Sequence, residues 1–423
     1  MRQRSKNLDV SFTDNNNSKH NPNILKTSKN NKFTHPLLKN VFFLCLFFRF
    51  VNALLVQTYF NPDEHWQALE VAHHISFGYG HLTWEWEKGI RSYLHPVIFA
   101  GLYKVLAFLH LDKPWFMIRT PRLLQSTFSA FGDLFLFKLS QEIFGDRVAK
   151  FALFAQLTNW FMFFCITRTF SYSLETVLTI VSMYHWPCIR PSASKISRGS
   201  RKWGLALAAL ACAIRPTSAI TWIYIGLLEL YLTRDKLKFV LVEVIPIGTL
   251  ILGLTFLVDR WMYGTWVLVP LNFLKFNFLS SGGDYYGTHV WHWYFSQGFT
   301  VMVFTFLPFS LSGIFKSQHW KLSGLIAWSL SVYSLLGLKE FSDEKGDLDE
   351  SDQFLVDPAG FATESAKSWS IPSHIVLFDS QEKLLKDFLA LHNFEEMKRF
   401  FHAHFKVDRE LQASVAVYTR KGQ

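Results

Sequence analysis

Apolar residues gather along this chain in long runs rather than in the short amphipathic periods of a soluble fold. The first run, Leu37 to Val56, follows a polar stretch, residues 1–36, rich in Asn, Lys and Ser. Others lie at 94–111, 122–140, 148–166 and 170–187, then at 203–232, 239–258, 299–315 and 322–338. Most are about 17 to 22 residues long, the length a helix needs to cross a bilayer. The run at 203–232 is too long for one crossing and is broken at Arg215-Pro216, so it predicts two. The pattern predicts an α-helical polytopic membrane protein with about 8–10 apolar spans.

Charge between the runs predicts their direction. Residues 1–36 carry Lys and Arg and no apolar period, and read as a disordered cytosolic tail. The sequon at Asn16 is therefore expected to stay unused. The run after this tail is longer than a signal-peptide core and lacks a clear cleavage site, so it reads as an uncleaved first span. Residues 58–96 then form a long lumenal loop, followed by the four runs between 94 and 187. The next loop, 188–202, holds Arg190, Lys195, Arg198, Arg201 and Lys202 and no acid, which says cytosol. Four crossings from the lumen would end in the lumen, so one of these runs fails to cross. The runs around Asp133 and Lys138 and around Arg168 and Glu175 are the more polar candidates. Beyond 203 the basic flanks agree: Arg234, Lys236 and Lys238 are cytosolic, 259–298 is a second lumenal loop, and Lys316, His319 and Lys321 are cytosolic.

Residues 37–341 are thus one membrane domain, and 342–423 differ in kind. They open with acid-rich SDEKGDLDESD and continue as a small α/β appendage. Strands are expected at Ile375 to Phe378 and Val415 to Tyr418, and helices at Gln381 to Leu391 and Phe394 to His404.

Composition narrows the class. The 423 residues have mean hydropathy +0.13 and include 43 Phe, too apolar for an ordinary soluble enzyme. The net charge of +10 belongs to the cytosolic flanks rather than to nucleic-acid binding. The four cysteines show neither a disulfide framework nor CxxC spacing, and read as buried small hydrophobes.

The chemistry-bearing stretch is YFNPDEHWQALEVAHHISFGYGHLTWEWEKGIRSYLHP, residues 59–96. Asp63 and Glu64 follow Pro62, which starts a helix, and a carboxylate in that first turn is kept ionised by the helix dipole. Ringed by Trp, Tyr and His, an ionised acid suits a general base acting on a sugar hydroxyl. The other reading makes Asp63 a helix cap and the aromatics an interfacial belt.

Asn61-Pro62-Asp63-Glu64-His65-Trp66-Gln67, Leu69-Glu70-Val71, Tyr79 to Trp86 and Arg91-Ser92-Tyr93 closely resemble the polytopic, GT-C-like mannosyltransferases of glycosyltransferase family 22. Gly287-Thr288-His289 and His292 to Gly298 match the same family, as do Pro121-Arg122, Thr167-Arg168-Thr169 and Ile214-Arg215-Pro216-Thr217. The resemblance covers about 37–341. Its His-Lys-Glu-Phe-Arg-Phe box is altered here to Leu338-Lys339-Glu340-Phe341-Ser342, and the apolar spans expected after it are missing.

What the resemblance implies is an endoplasmic reticulum membrane enzyme, multi-pass, with a cytosolic N-terminus and a lumenal site. It would transfer the third mannose of the glycosylphosphatidylinositol (GPI) precursor in α1,2 linkage, from dolichyl-phosphate mannose, without a cofactor or metal. Its partners would be these lipid-linked glycans; no protein partner is legible. Asp63 is the first candidate for the base and Glu64 the second. His65, Trp66, Trp84, Arg91, Tyr93, Arg215, Tyr285, Tyr286, His289, His292 and Trp293 are candidates for substrate contact, with Arg215 placed to hold the donor phosphate. The histidines lack a His-Glu-x-x-His pattern, so no metal site is expected. Alternatives are a sibling mannosyltransferase of the N-glycan precursor or the fourth GPI mannose, an inactive truncated form, and a polytopic transporter. A transporter would show repeats with matching midplane polar residues, and none is visible.

Overall fold

The computed structural model describes residues 31–58, 60–190, 198–279, 292–316, 319–336, 354, 356–368, 371–401 and 414–420. The chain divides into two compact units, 1–340 and 341–423. The sequence candidates Tyr285, Tyr286 and His289 lie outside the described residues.

The first unit is helical. Its elements are α1 (Asn31–Leu55), α2 (Glu70–Phe77), α3 (Trp84–Glu87), α4 (Leu94–Phe108), α5 (Pro114–Phe144), α6 (Asp146–Thr158), α7 (Trp160–Cys165) and α8 (Ser171–His185). They continue as α9 (Arg198–Ile214), α10 (Ala219–Leu232), α11 (Lys236–Tyr263), α12 (Val269–Leu274), α13 (Tyr294–Lys316) and α14 (Trp320–Leu336). Among the described residues, Leu38–Leu55, α11 and α13 are long and apolar enough to cross a membrane. The break expected at Arg215-Pro216 is present as a 3₁₀ turn, Pro216–Ser218, between α9 and α10.

Two ends of this bundle are fixed by polar contacts. At one, Arg122 of α5 donates to Val56 O and Arg168 donates to Thr58 O, so the loop after α1 meets the start of α5 and the segment after α7. At the other, Arg190 pairs with Glu142 at 2.7 Å, Phe144 packs on His319, and Arg201 joins Glu229 to Glu243. α1, α5, α6 with α7, α8 and α9 each run between these ends.

α4 does not. Its N-terminal neighbour Tyr93 donates its backbone N–H to Asp259, near the end of α11, at 2.9 Å. Farther along, Tyr103 donates to Met117 O at 3.2 Å, on the stretch of α5 that precedes Arg122. Both ends of α4 therefore sit at the loop end, and its apolar face (Phe99, Ala100, Tyr103, Leu106) is buried against Ala68, Leu69 and Ala72. The run at 94–111 is the one that does not traverse the bundle. The sequence left this choice open, and the two more polar runs it named as candidates have their charges matched inside the bundle. Asp133 pairs with Arg49 at 2.7 Å, and Glu175 pairs with Arg215 at 3.0 Å.

Among its described residues, the second unit has three antiparallel strands in the order β1-β3-β2: β1 (His374–Phe378), β2 (Phe394–Phe401) and β3 (Ser414–Arg420). Helices Pro358–Ser368, Asp379–Leu384 and Lys386–Leu391 accompany them, over a core of Leu377, Leu385, Leu389, Phe394, Ala416 and Tyr418. The helix expected at Phe394 to His404 is instead a strand over Phe394–Phe401. Its apolar spacing suits either structure, and backbone pairing with β3 decides it.

Candidate functional site

The site begins with a helix start. Asn61 accepts the Asp63 N–H on its side chain at 3.0 Å, so Asn61 and not Asp63 caps the helix. Glu64 and His65 N–H groups bond back to Asn61 O and Pro62 O, which winds the chain into the π turn His65–Leu69 and then α2. The cap role that sequence offered Asp63 is already filled.

The two adjacent acids then part. Glu64 is fully buried, with Arg122 Nε at 3.1 Å from one oxygen and Arg168 Nη1 at 2.7 Å from the other. Thr169 adds a bond to its backbone oxygen at 3.3 Å. A carboxylate clamped between two guanidiniums and sealed from solvent is closed off from a substrate hydroxyl in this arrangement. Glu64, the second candidate base, ties the helix start to α5 and the α7–α8 junction.

Asp63 is half-buried, and among the described residues its side chain accepts no hydrogen bond. Burial raises its carboxyl above the ordinary range; Arg91 opposes this, Glu85 adds to it, and Arg215 opposes it. These three charges belong to the stretches that sequence singled out. Arg91 pairs with Glu85 at 2.6 Å, and Gln67 donates to the other Glu85 oxygen at 3.2 Å. Arg215 pairs with Glu175 and lies flat over the Tyr172 ring, 3.3 Å from its centroid. Arg215 is thus near Asp63 with its guanidinium already oriented.

Aromatic candidates fall into two groups. Trp66 and His65 are exposed, and Trp66 meets His81 edge-on at 5.9 Å. Trp84 packs against Phe276 at 5.4 Å. Tyr93, by contrast, is buried between Trp86 at 4.6 Å and Tyr263 at 4.8 Å. This candidate for substrate contact lies in the core beneath the loop, with Val71 and Trp86. His292 is exposed and bonds Ser296 through Nδ1, while the Trp293 ring lies over Gly298.

The two loops that sequence assigned to one side do meet. Asp259 accepts from Ser92 Oγ and Tyr93 N–H, Tyr263 donates to Arg91 O at 2.6 Å, and Asn272 donates to Gly89 O at 3.3 Å. Asp259 and Tyr263 were missed in the sequence reading. Asp259 carried a signal there, being an acid near the end of an apolar run, where charge is retained when it has a partner. Within the first loop, Gly80 has φ +134°, and a side chain there would come within 2.8 Å of Glu70 Oε1. That oxygen accepts the His81 N–H, so the Tyr79 to Leu82 turn folds onto α2. Among the described residues, no group of three His, Cys, Asp or Glu is placed to hold a metal ion.

A family profile described as the Alg9-like mannosyltransferase family matches residues 40–341. The chain is 50% identical over 504 aligned positions to the mannosyltransferase APTG1 of Arabidopsis thaliana, which takes in 90% of this chain and 92% of that protein. It is 40% identical over 376 positions to the GPI alpha-1,2-mannosyltransferase 3 of Bos taurus, covering 86% of this chain and 68% of the relative. For the Homo sapiens protein of the same name the figures are 41% over 361 positions, 84% and 63%. The Arabidopsis alignment is longer than the 423 residues present here, so some positions of that relative have no counterpart in this chain. No solved structure matches it significantly.

Proposed function

The chain belongs to the Alg9-like mannosyltransferase family, and on that premise we propose that it is an α1,2-mannosyltransferase of GPI-anchor assembly with Asp63 as its base. The observation that carries the assignment of the base is the division between neighbours. Glu64 is consumed by two arginines, whereas Asp63 keeps a carboxylate without a hydrogen bond among the described residues, between Arg91, Glu85 and Arg215.

The donor is dolichyl-phosphate mannose. Asp63 takes the proton of the acceptor hydroxyl as its oxygen attacks the anomeric carbon, and the dolichyl phosphate leaves from the opposite face. A β-linked donor gives an α product in this single displacement, so one base suffices. Phosphate departs without a separate acid, and Arg215 is the cation nearest at hand for it. Trp66, His65 and Trp84, with His292 and Trp293 from the second loop, supply ring faces and hydrogen-bonding edges for the sugars. The lipid-linked acceptor is the dimannosylated GPI precursor.

The helix ends fit a membrane in which α1, α5, the α6–α7 pair and α8 cross and α4 stays on the lumenal surface. Four crossings from a cytosolic N-terminus then return loop 188–202 to the cytosol, as its charge requires. The membrane is that of the endoplasmic reticulum, and the acid-bearing loop faces the lumen.

A second reading rests on the longer Arabidopsis alignment and the altered Leu338 to Ser342 segment: a shortened, inactive form of the enzyme. Cells blocked at the third GPI mannose decide between the two. This chain, its Asp63→Asn variant and a full-length relative are each expressed, and the lipid intermediates profiled. Conversion of the two-mannose precursor by this chain but not by the variant supports the enzyme and its base. Conversion by the full-length relative alone supports the shortened form.

A further inference from the structure

The sheet of the α/β unit has two unlike faces. Leu377, Ala416 and Arg399 share one face by register, and Leu377 and Ala416 belong to the core that the short helices cover. The opposite face is built from two rows, Val376-Val417-Lys398 and Phe378-Val415-Phe400. An antiparallel sheet with one open face normally alternates, apolar inward and polar outward. Here both outward rows are apolar apart from Lys398, and Val376 and Phe400 are 62% and 48% exposed. The next row along the strands, His374-Thr419-Glu395, is polar, so the face grades from wet to greasy along its length.

Two adjacent cations on β2 are treated differently. Arg399, on the covered face, pairs with Glu382 at 2.9 Å and with Glu396 at 2.6 Å. Lys398, on the open face, has no ion pair among the described residues; its Nζ stands 5.1 Å from the centroid of the Phe400 ring. The unit is also tethered. Residues 337–353 join it to α14, and a chain of that length reaches about 60 Å at most when fully extended.

We propose that this outer face docks on the phospholipid surface of the membrane that holds the helical unit. Val376, Val415, Val417 and Phe400 meet the acyl boundary, and Lys398 reaches a lipid phosphate. The inference does not depend on the sugar chemistry; it rests only on α11 and α13 spanning a bilayer. A protein covering this face must desolvate Lys398 and supply it with an acid. A bilayer does not: the lysine stem lies among apolar neighbours while the ammonium stays with phosphate and water. The gradient along the strands matches an interface whose polarity falls with depth. The tether makes the encounter intramolecular, so a small patch suffices to hold it.

The test uses the full chain in phosphatidylcholine nanodiscs, with a nitroxide carried by Val376→Cys, Phe400→Cys, Leu391→Cys or Phe309→Cys. Leu391 is exposed at the end of the helix Lys386–Leu391, and Phe309 is exposed on α13. The parent chain, labelled in parallel, gives the background from its own cysteines. Power saturation then compares oxygen, which concentrates in lipid, with a nickel complex confined to water. Oxygen should dominate at Val376, Phe400 and Phe309, and nickel at Leu391. Lys398→Glu should shift Val376 toward nickel with the melting temperature unchanged, and Lys398→Arg should not. Nickel access at Val376 and Phe400 with oxygen at Phe309 overturns the docking and leaves the membrane fold standing. Nickel access at Phe309 as well counts against both. Exclusion of both reagents from Val376 means that protein covers the face and overturns the proposal. Dipolar broadening lost on dilution with unlabelled chain identifies that protein as a second copy, which overturns it equally.

Discussion

Asp63 and Glu64 are consecutive in the chain and opposite in environment. Glu64 is sealed against Arg122 and Arg168, while Asp63 turns to the side where Arg91 and Arg215 influence it without bonding to it. A helix turns by about 100° per residue, so neighbours on its first turn necessarily face different surroundings. One acid is taken up by architecture, and the other keeps a carboxylate without a hydrogen bond among the described residues.

Asp63→Asn should therefore abolish function without harming the fold. Removal of a general base costs about 10²- to 10⁴-fold in rate. Among the described residues no side-chain hydrogen bond is lost, so protein level and chromatographic behaviour should match the parent. Mannose transfer at the parental rate would remove Asp63 from the base position.

The acid limb of the pH–rate profile should lie above the ordinary aspartate range. Burial raises the Asp63 carboxyl, and the base works only when ionised, so activity falls as pH falls through this raised value. Arg91→Gln removes an opposing cation and leaves Glu85 less compensated, which should move the limb further up. The same sign applies to stability. A carboxyl raised by folding is held less comfortably when ionised, so at neutral pH Asp63→Asn should melt at the same or a slightly higher temperature.

Glu64→Gln should fail in the other way. It leaves two buried arginines without their shared anion, a change that costs about 3–5 kcal/mol in comparable buried pairs. The expected readout is a sharply lowered yield of folded protein and a lower melting temperature, with activity per folded molecule secondary. A variant as stable as the parent would show that the arginines find other partners.

Asp259→Ala should loosen the joint between the two loops. Ser92 Oγ and the Tyr93 N–H lose their acceptor, at about 1–3 kcal/mol for a buried donor left unsatisfied. Transfer should drop by tenfold or more, and limited proteolysis should cut within 84–96 faster than in the parent. Asp259→Asn, which keeps an acceptor oxygen, should restore most of the protection.

Gly80→Ala tests the fold of the first loop alone. It combines a positive φ with a close approach to Glu70 Oε1, and should cost more than about 1 kcal/mol. Thermal unfolding of the two proteins side by side measures it.

Sequence made much of this legible. The break at Arg215-Pro216 and the helix start after Pro62 could be read from local pattern, because apolar length and helix-start chemistry are local properties. The meeting of the loops followed from counting charges. The roles of individual residues were less accessible. Glu64 and Tyr93 look like site residues because they belong to the same polar and aromatic stretch. Glu64 is enclosed by partners 58 and 104 residues away in sequence, and the backbone of Tyr93 is held by Asp259, 166 residues away. Helix α4 misled for a related reason: its apolarity serves contact with α2, and a run of apolar residues does not say whether protein or lipid will cover it.

Those long separations also order the birth of the molecule. When the ribosome has delivered the first loop, it has made the acids but neither Arg122 nor Arg168, and Asp259 is farther off still. Glu64 stays open to solvent until Arg122 and Arg168 have been made and can enclose it. The end that holds Asp63 is thus completed late in synthesis, and a nascent chain stopped before residue 168 still lacks the second arginine that encloses Glu64.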